Sequence, residues 1–246
     1  ESRGLGDVYK RKKDRDDIIV REGKKDYMNE AFRVIRTNLD FILSTNGEKR
    51  QKVIMFTSFN IGSGKTFTTI NLAISMAIKG KKVVVIDLDM RKASLSSYID
   101  SPSAGISNYL GKMIDNPDQI IQKGAIHPNL DIIPAGTIPP NPAELLLDDR
   151  LQGLLDELRE KYDYIFLDCT PVEMVTDASI VGKVTDITIF VVRAGLMDRR
   201  ILPEIEEMYQ KGQYNNMTVL LNGTQYMQGQ YGYNRYGYTH ADNYLA

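Results

Sequence analysis

The 246-residue sequence holds a single cysteine, Cys169, and only two histidines, His127 and His240. One thiol closes no internal disulfide, which excludes a disulfide-stapled scaffold and points to a reducing compartment. Two scattered histidines exclude a histidine-built metal centre. No apolar run approaches the roughly 20 residues of a membrane-spanning helix, and no signal-peptide pattern opens the chain. An excess of one charge is missing as well. Lys and Arg number 31 against 32 Asp and Glu, so nothing global recommends nucleic acid as a partner. With 42% apolar and 26% charged residues, what remains is an ordinary globular mixture in the cytoplasm.

The charge is uneven locally. Residues 1–25 carry nine Lys or Arg, including Lys10-Arg11-Lys12-Lys13. This stretch reads as a basic leader, either juxtamembrane and touching anionic lipid or a solvated linker. The opening Glu1, in place of methionine, reads as a piece of a longer polypeptide. At the other end, residues 226–246 hold six of the fourteen tyrosines, spaced by Gly, Asn and Gln without helical or strand period. A flexible tail is expected there.

Residues 26–225 between them read as one domain. Apolar runs at Val53–Phe56, Val83–Ile86, Leu130–Ile133, Tyr164–Leu167, Ile187–Val192 and Met217–Leu221 predict strands. Helical patterns fall at Tyr27–Ser44, with Phe32, Ile35, Leu39 and Ile42 on one face, at Lys65–Lys79, closed by Gly80, and at Asn141–Lys161. Continuous runs, unlike alternating ones, suit parallel strands buried on both faces. The expected fold is α/β, a doubly wound, mostly parallel sheet with helices on both faces.

Gly62-Ser63-Gly64-Lys65-Thr66 falls at a strand–helix junction, where a phosphate-binding loop belongs. Glycines let backbone N–H groups converge on phosphate oxygens, and the helix N-terminus adds its dipole. Lys65 reaches the outer phosphates of ATP and the Thr66 hydroxyl suits Mg²⁺. The nucleotide-binding set is therefore Gly62, Ser63, Gly64, Lys65, Thr66 and Phe67. Phe59 stands where the usual pattern has its first glycine. Asp168 ends one apolar run, Asp87 another, and Asp89 follows two residues on. Any one of these alone is a turn former. In an open α/β sheet, however, strand carboxyl ends gather along one edge, so Thr66, Asp87, Asp89 and Asp168 are expected around Mg²⁺. Lys65 and the three aspartates form the expected catalytic set. Cys169 reads as a small buried residue.

Asp87-Leu88-Asp89-Met90-Arg91-Lys92 resembles the Walker A′ motif of the bacterial protein-tyrosine kinases, which regulate capsule and exopolysaccharide synthesis and export. Glu30-Ala31-Phe32-Arg33-Val34-Ile35-Arg36 is similar to that family's oligomerisation helix, and Val191–Gly195 to a further family segment. The tail is similar to its autophosphorylation cluster. Ala93 stands where family members often have proline. The resemblance, from about Tyr27 onward, implies Asp87 as base and Tyr226, Tyr231, Tyr233, Tyr236, Tyr238 and Tyr244 as phosphoacceptors. It also implies a ring-like homo-oligomer through Glu30, Arg33 and Arg36, a membrane-spanning part on the same or a partner polypeptide, and a cognate phosphatase. Read without it, the three charges form a solvated helix face and the tail is a low-complexity tract. Two alternatives remain at this point. The partition and septum-site ATPases have a similar layout but a signature lysine where Asn60 stands, and a scaffold could hold ATP without transferring its phosphate.

Overall fold

The computed structural model describes residues 17–45, 52–172 and 177–224. The six tail tyrosines and the run Lys10–Lys13 lie outside the described residues.

Seven strands form one sheet: β1 (Val53–Thr57), β2 (Val83–Asp87), β3 (Gln122–His127), β4 (Leu130–Ile133), β5 (Tyr164–Asp168), β6 (Ile187–Arg193) and β7 (Met217–Asn222). Their order is β3-β4-β2-β5-β1-β6-β7. Every pairing is parallel except β3 with β4, which is antiparallel. The central strands β1, β2 and β5 are buried at every position, and their alternate residues serve two cores. Val53 and Met55 pack in one layer with Leu151, Leu154 and Leu158, while Ile54 and Phe56 pack in the other with Ile70, Leu72 and Ala73. A strand with apolar layers on both faces needs no polar alternation, which is why these runs are continuous in sequence.

Helix α1 (Tyr27–Thr45) and helix α2 (Lys65–Ile78) cover the second layer, with the Phe32 and Phe67 rings 6.0 Å apart. Asp26 caps α1 by accepting from the Asn29 backbone N–H at 2.9 Å. Gly80, at φ +77°, ends α2 as a left-handed cap, with Lys81 N–H reaching back to the Met76 carbonyl. The other face carries α3 (Ile106–Leu110), α4 (Pro142–Leu146), α5 (Arg150–Lys161), α6 (Asp177–Val181) and α7 (Leu202–Gln210).

Two sequence expectations are corrected here. The helix expected over Asn141–Lys161 is two helices, α4 and α5, broken at residues 147–149. Asp148 takes the Arg150 backbone N–H on its own carboxylate at 3.0 Å, a local bond that competes with the helical ladder. Strand β3 escaped the sequence reading altogether. It is a partly exposed edge strand, interrupted by Gly124 at φ +60° and by a register shift, so it has neither an apolar run nor alternation.

The segment 17–20, within the stretch expected as leader, lies on the domain. Val20 is buried with the second core layer. Asn71 of α2 fastens it: Ile19 and Val20 donate their N–H groups to the Asn71 Oδ1, and its Nδ2 donates to the Asp17 carbonyl at 3.0 Å.

Candidate active site

The carboxyl ends of β1, β2 and β5 open onto a crevice of about 620 Å³, lined among others by Gly62, Lys65, Thr66, Asp89, Lys92 and Ser97. The loop after β1 forms one wall. Gly62 and Gly64 hold φ +78° and +90°, a region that side-chain-bearing residues seldom enter. Phe59, in place of the usual glycine, packs partly buried against the first core layer. Ser63 is buried and donates its hydroxyl to the Asn60 carbonyl at 2.9 Å. Lys65 and Thr66 open α2, so both sit at its N-terminus as expected, and Phe67 lines the crevice behind them.

Register brings the aspartates together. Asp87 and Asp168 are Cα partners on neighbouring parallel strands, and both are almost fully buried. The Asp168 carbonyl accepts the backbone N–H groups of Leu88 and Asp89, at 2.9 and 3.1 Å, which folds Asp89 over the same edge. Ser96 donates its N–H and hydroxyl to the Asp87 Oδ2 at 2.8 and 2.7 Å. The Thr66 hydroxyl donates to the Asp168 Oδ2 at 2.7 Å. One oxygen of each carboxylate, Oδ1 of Asp87 and Oδ1 of Asp168, is buried without a hydrogen-bond partner.

These surroundings set the protonation. Burial pushes the Asp87 carboxyl well up and the neighbouring Asp168 adds to it, against the two Ser96 bonds. Burial likewise raises Asp168, partly offset by the Thr66 hydroxyl and the Lys65 charge. Lys65, itself buried, is lowered by desolvation while Asp168 and Asp89 pull it back up. Cys169 is buried, and desolvation raises its thiol, so it is no thiolate nucleophile.

Two buried carboxylates with unsatisfied oxygens, beside a threonine hydroxyl, fit a hard divalent cation. Among the described residues no group of three His, Cys, Asp or Glu side chains makes a complete metal cage. Magnesium does not need one, since it keeps several waters and binds through one or two carboxylates plus substrate phosphates.

Residues 51–219 match a family described as an AAA domain. Tyrosine-protein kinase CpsD of Streptococcus agalactiae is 31% identical over 224 residues, which are 90% of this chain and 94% of that protein. The chain belongs to the bacterial tyrosine-protein kinases. The solved kinase domain of the Escherichia coli tyrosine kinase ETK is 32% identical, with a TM-score of 0.72, covering 83% of this kinase and 79% of that one. A putative tyrosine-protein kinase, AmsA of Erwinia amylovora, is 32% identical over 86% of this chain but only 30% of its own length. In that relative the kinase region is thus one part of a longer polypeptide. A plasmid partition protein of Borrelia burgdorferi, at 24% identity and a TM-score of 0.59, shares the fold.

In the kinase, Ala93 stands at φ +49° and donates its N–H to the Asp89 carbonyl at 2.7 Å. A proline there could adopt neither that φ nor that bond. Glu30 and Arg33 pair at 2.9 Å on the α1 surface, whereas Arg36 turns inward and donates to the Ser75 carbonyl and hydroxyl on α2. The three charges therefore divide into an exposed pair and a tie within the subunit. Sequence reasoning also missed Asn222, at the end of β7, whose Nδ2 donates to the Ser63 carbonyl. Arg193 was noted only as part of a family segment, and its guanidinium donates to the Gly62 carbonyl.

Proposed function

We propose that this kinase transfers the terminal phosphoryl group of ATP to tyrosines of its own C-terminal cluster, Tyr226 to Tyr244, passing it between subunits. In doing so it serves the control of capsule or exopolysaccharide synthesis and export. The observation that carries the reading is the side-by-side burial of Asp87 and Asp168 next to Lys65 and Thr66 at the strand edge. A partition-type ATPase would place a lysine at Asn60, and a scaffold holding ATP would need no base at Asp87.

In this reading the backbone of residues 62–66 and the Lys65 ammonium hold the phosphates. Thr66, Asp87, Asp89 and Asp168 would hold Mg²⁺, which would supply charge neutralisation on the phosphates. Tyrosine ionises only near pH 10, so its proton needs an acceptor as the phenol oxygen bonds to phosphorus and ADP departs with the old bond. Asp87, held in place by Ser96, is that acceptor. The partners in this reading are further copies of the chain, a membrane-spanning part that places the kinase at the cell membrane, and a phosphatase that resets the tail.

Mixing separates transfer between subunits from transfer within one. A Lys65→Met chain with an intact tail is incubated with an active chain ending at Thr224, and tail phosphotyrosine is mapped by mass spectrometry with and without Mg·ATP. Label on the inactive chain is expected. An unlabelled tail in this mixture, while the intact active kinase alone labels itself at a rate independent of concentration, would defeat the between-subunit reading.

Self-association through α1 has its own test. Glu30→Ala with Arg33→Ala should shift the unphosphorylated kinase to smaller species in sedimentation with little change in melting temperature, since an exposed i,i+3 pair contributes only about 0.2–0.5 kcal/mol. Arg36→Ala should instead lower the melting temperature, because it strands the Ser75 contacts. An unchanged size distribution in the double variant would leave Glu30 and Arg33 with no part in assembly.

A further inference from the structure

We propose that Asn222 and Arg193 are positioning residues for the phosphoryl donor, which preset the phosphate loop before any nucleotide arrives. The proposal rests on the reading that this loop holds the phosphates of ATP. Both residues stand at the carboxyl ends of the strands on the β6–β7 side of the sheet, paired in register as Arg193 and Asn222. Arg193 Nη1 donates to the Gly62 carbonyl at 2.9 Å, and Asn222 Nδ2 donates to the Ser63 carbonyl at 2.9 Å.

Their effect follows from peptide geometry. The described chain has no cis peptide bond, and across a trans peptide the C=O and the next N–H point in opposite directions. Fixing the Gly62 carbonyl therefore fixes the Ser63 N–H on the other side, and fixing the Ser63 carbonyl does the same for the Gly64 N–H. Two of the amides that a phosphate loop relies on are thus aimed by side chains at the ends of β6 and β7.

The brace is itself held. The Asn222 carbonyl accepts the Ala194 N–H at 2.9 Å, and its Oδ1 accepts the Gly223 N–H at 2.8 Å, which leaves Nδ2 to face the loop. Gly64 makes room for it. A Cβ at that position would lie 2.3 Å from the Asn222 Nδ2, so the glycine serves the brace as well as its own left-handed backbone.

A loop that must be ordered on binding costs affinity, and a preset one does not. Asn222→Ala and Arg193→Ala should each weaken binding of a fluorescent ATP analogue with Mg²⁺ by about 5- to 10-fold, as expected for one lost hydrogen bond. The KM for ATP should rise in step, while the KM for an added tyrosine peptide stays put. The melting temperature without nucleotide should change little. Arg193→Lys, which keeps a donor, should recover most of the affinity. Asn222→Asp, equal in size but without the donor, should bind no better than Asn222→Ala. Wild-type affinity in both alanine variants, or a lowered melting temperature with unchanged affinity, would overturn the positioning role. If the unaltered kinase fails to bind the analogue, the phosphate-loop reading falls and this proposal with it.

Discussion

Lys65→Met will lower tail phosphorylation by at least about 100-fold, the order lost when one preorganised charge is removed from a transition state. The protein should nevertheless remain folded. Lys65 is buried at the mouth of α2, and desolvation already disfavours its charge. Methionine has a similar reach and no charge to bury, so the melting temperature without nucleotide should hold or rise. Phosphotyrosine immunoblotting and thermal melting of the same preparation check both halves. Near-normal phosphorylation, in protein shown to be free of other kinases, would defeat the catalytic assignment. Loss of the fold would show that the lysine is structural.

Asp87→Asn should separate activity from stability more sharply still. Asparagine keeps an oxygen for Ser96 but neither takes a proton nor carries charge, so transfer should fall by two to three orders of magnitude, the range of a lost general base. Stability should move the other way. In metal-free protein the folded-state pKa of Asp87 lies above its unfolded value near 4. The native state then keeps a proton that the unfolded chain has released, and stability declines as pH rises through that interval. Asp87→Asn removes this part of the decline. At pH 8, with chelator, it should melt a few degrees above the unaltered kinase, about 2–4 °C for each kcal/mol in a domain of this size. Near pH 4 the two should converge. Equal melting temperatures at pH 8 would mean that Asp87 carries no strained charge in the folded state.

What the sequence displayed and what it concealed divide along a physical line. The runs ending at Asp87 and Asp168 were legible because both faces of β2 and β5 are buried and the chain there has no reason to alternate. Gly62, Gly64 and Lys65 were legible because a phosphate loop is contiguous. Strand β3 was not, being a partly exposed edge with a glycine inside it. The break at Asp148 was hidden because leucines on both sides keep helical spacing while a single side chain diverts the backbone. Arg36 reads as a third charge on the face of Glu30 and Arg33, yet the packing of α1 on α2 sends it to Ser75. Asn222 was the least legible of all. Its partner is a carbonyl 159 residues away, and no local pattern encodes such a bond.

The Asn71 clasp has a consequence for how the two chain ends relate. It holds the Asp17 carbonyl, Asp17 lines the crevice, and Asn71 belongs to the helix that starts at Lys65. At the opposite end of the described chain, Asn222 grips the loop that precedes the same helix. The described chain therefore starts and stops at one pole of the fold, beside the loop of residues 62–66. Tyr226 follows Asn222 by four residues, a tether of at most about 14 Å at 3.3–3.6 Å per residue, whereas Tyr244 has more than five times that length. Tension applied at either end of the described chain meets Asn71 or Asn222, the two side chains that fasten α2 and the loop before it.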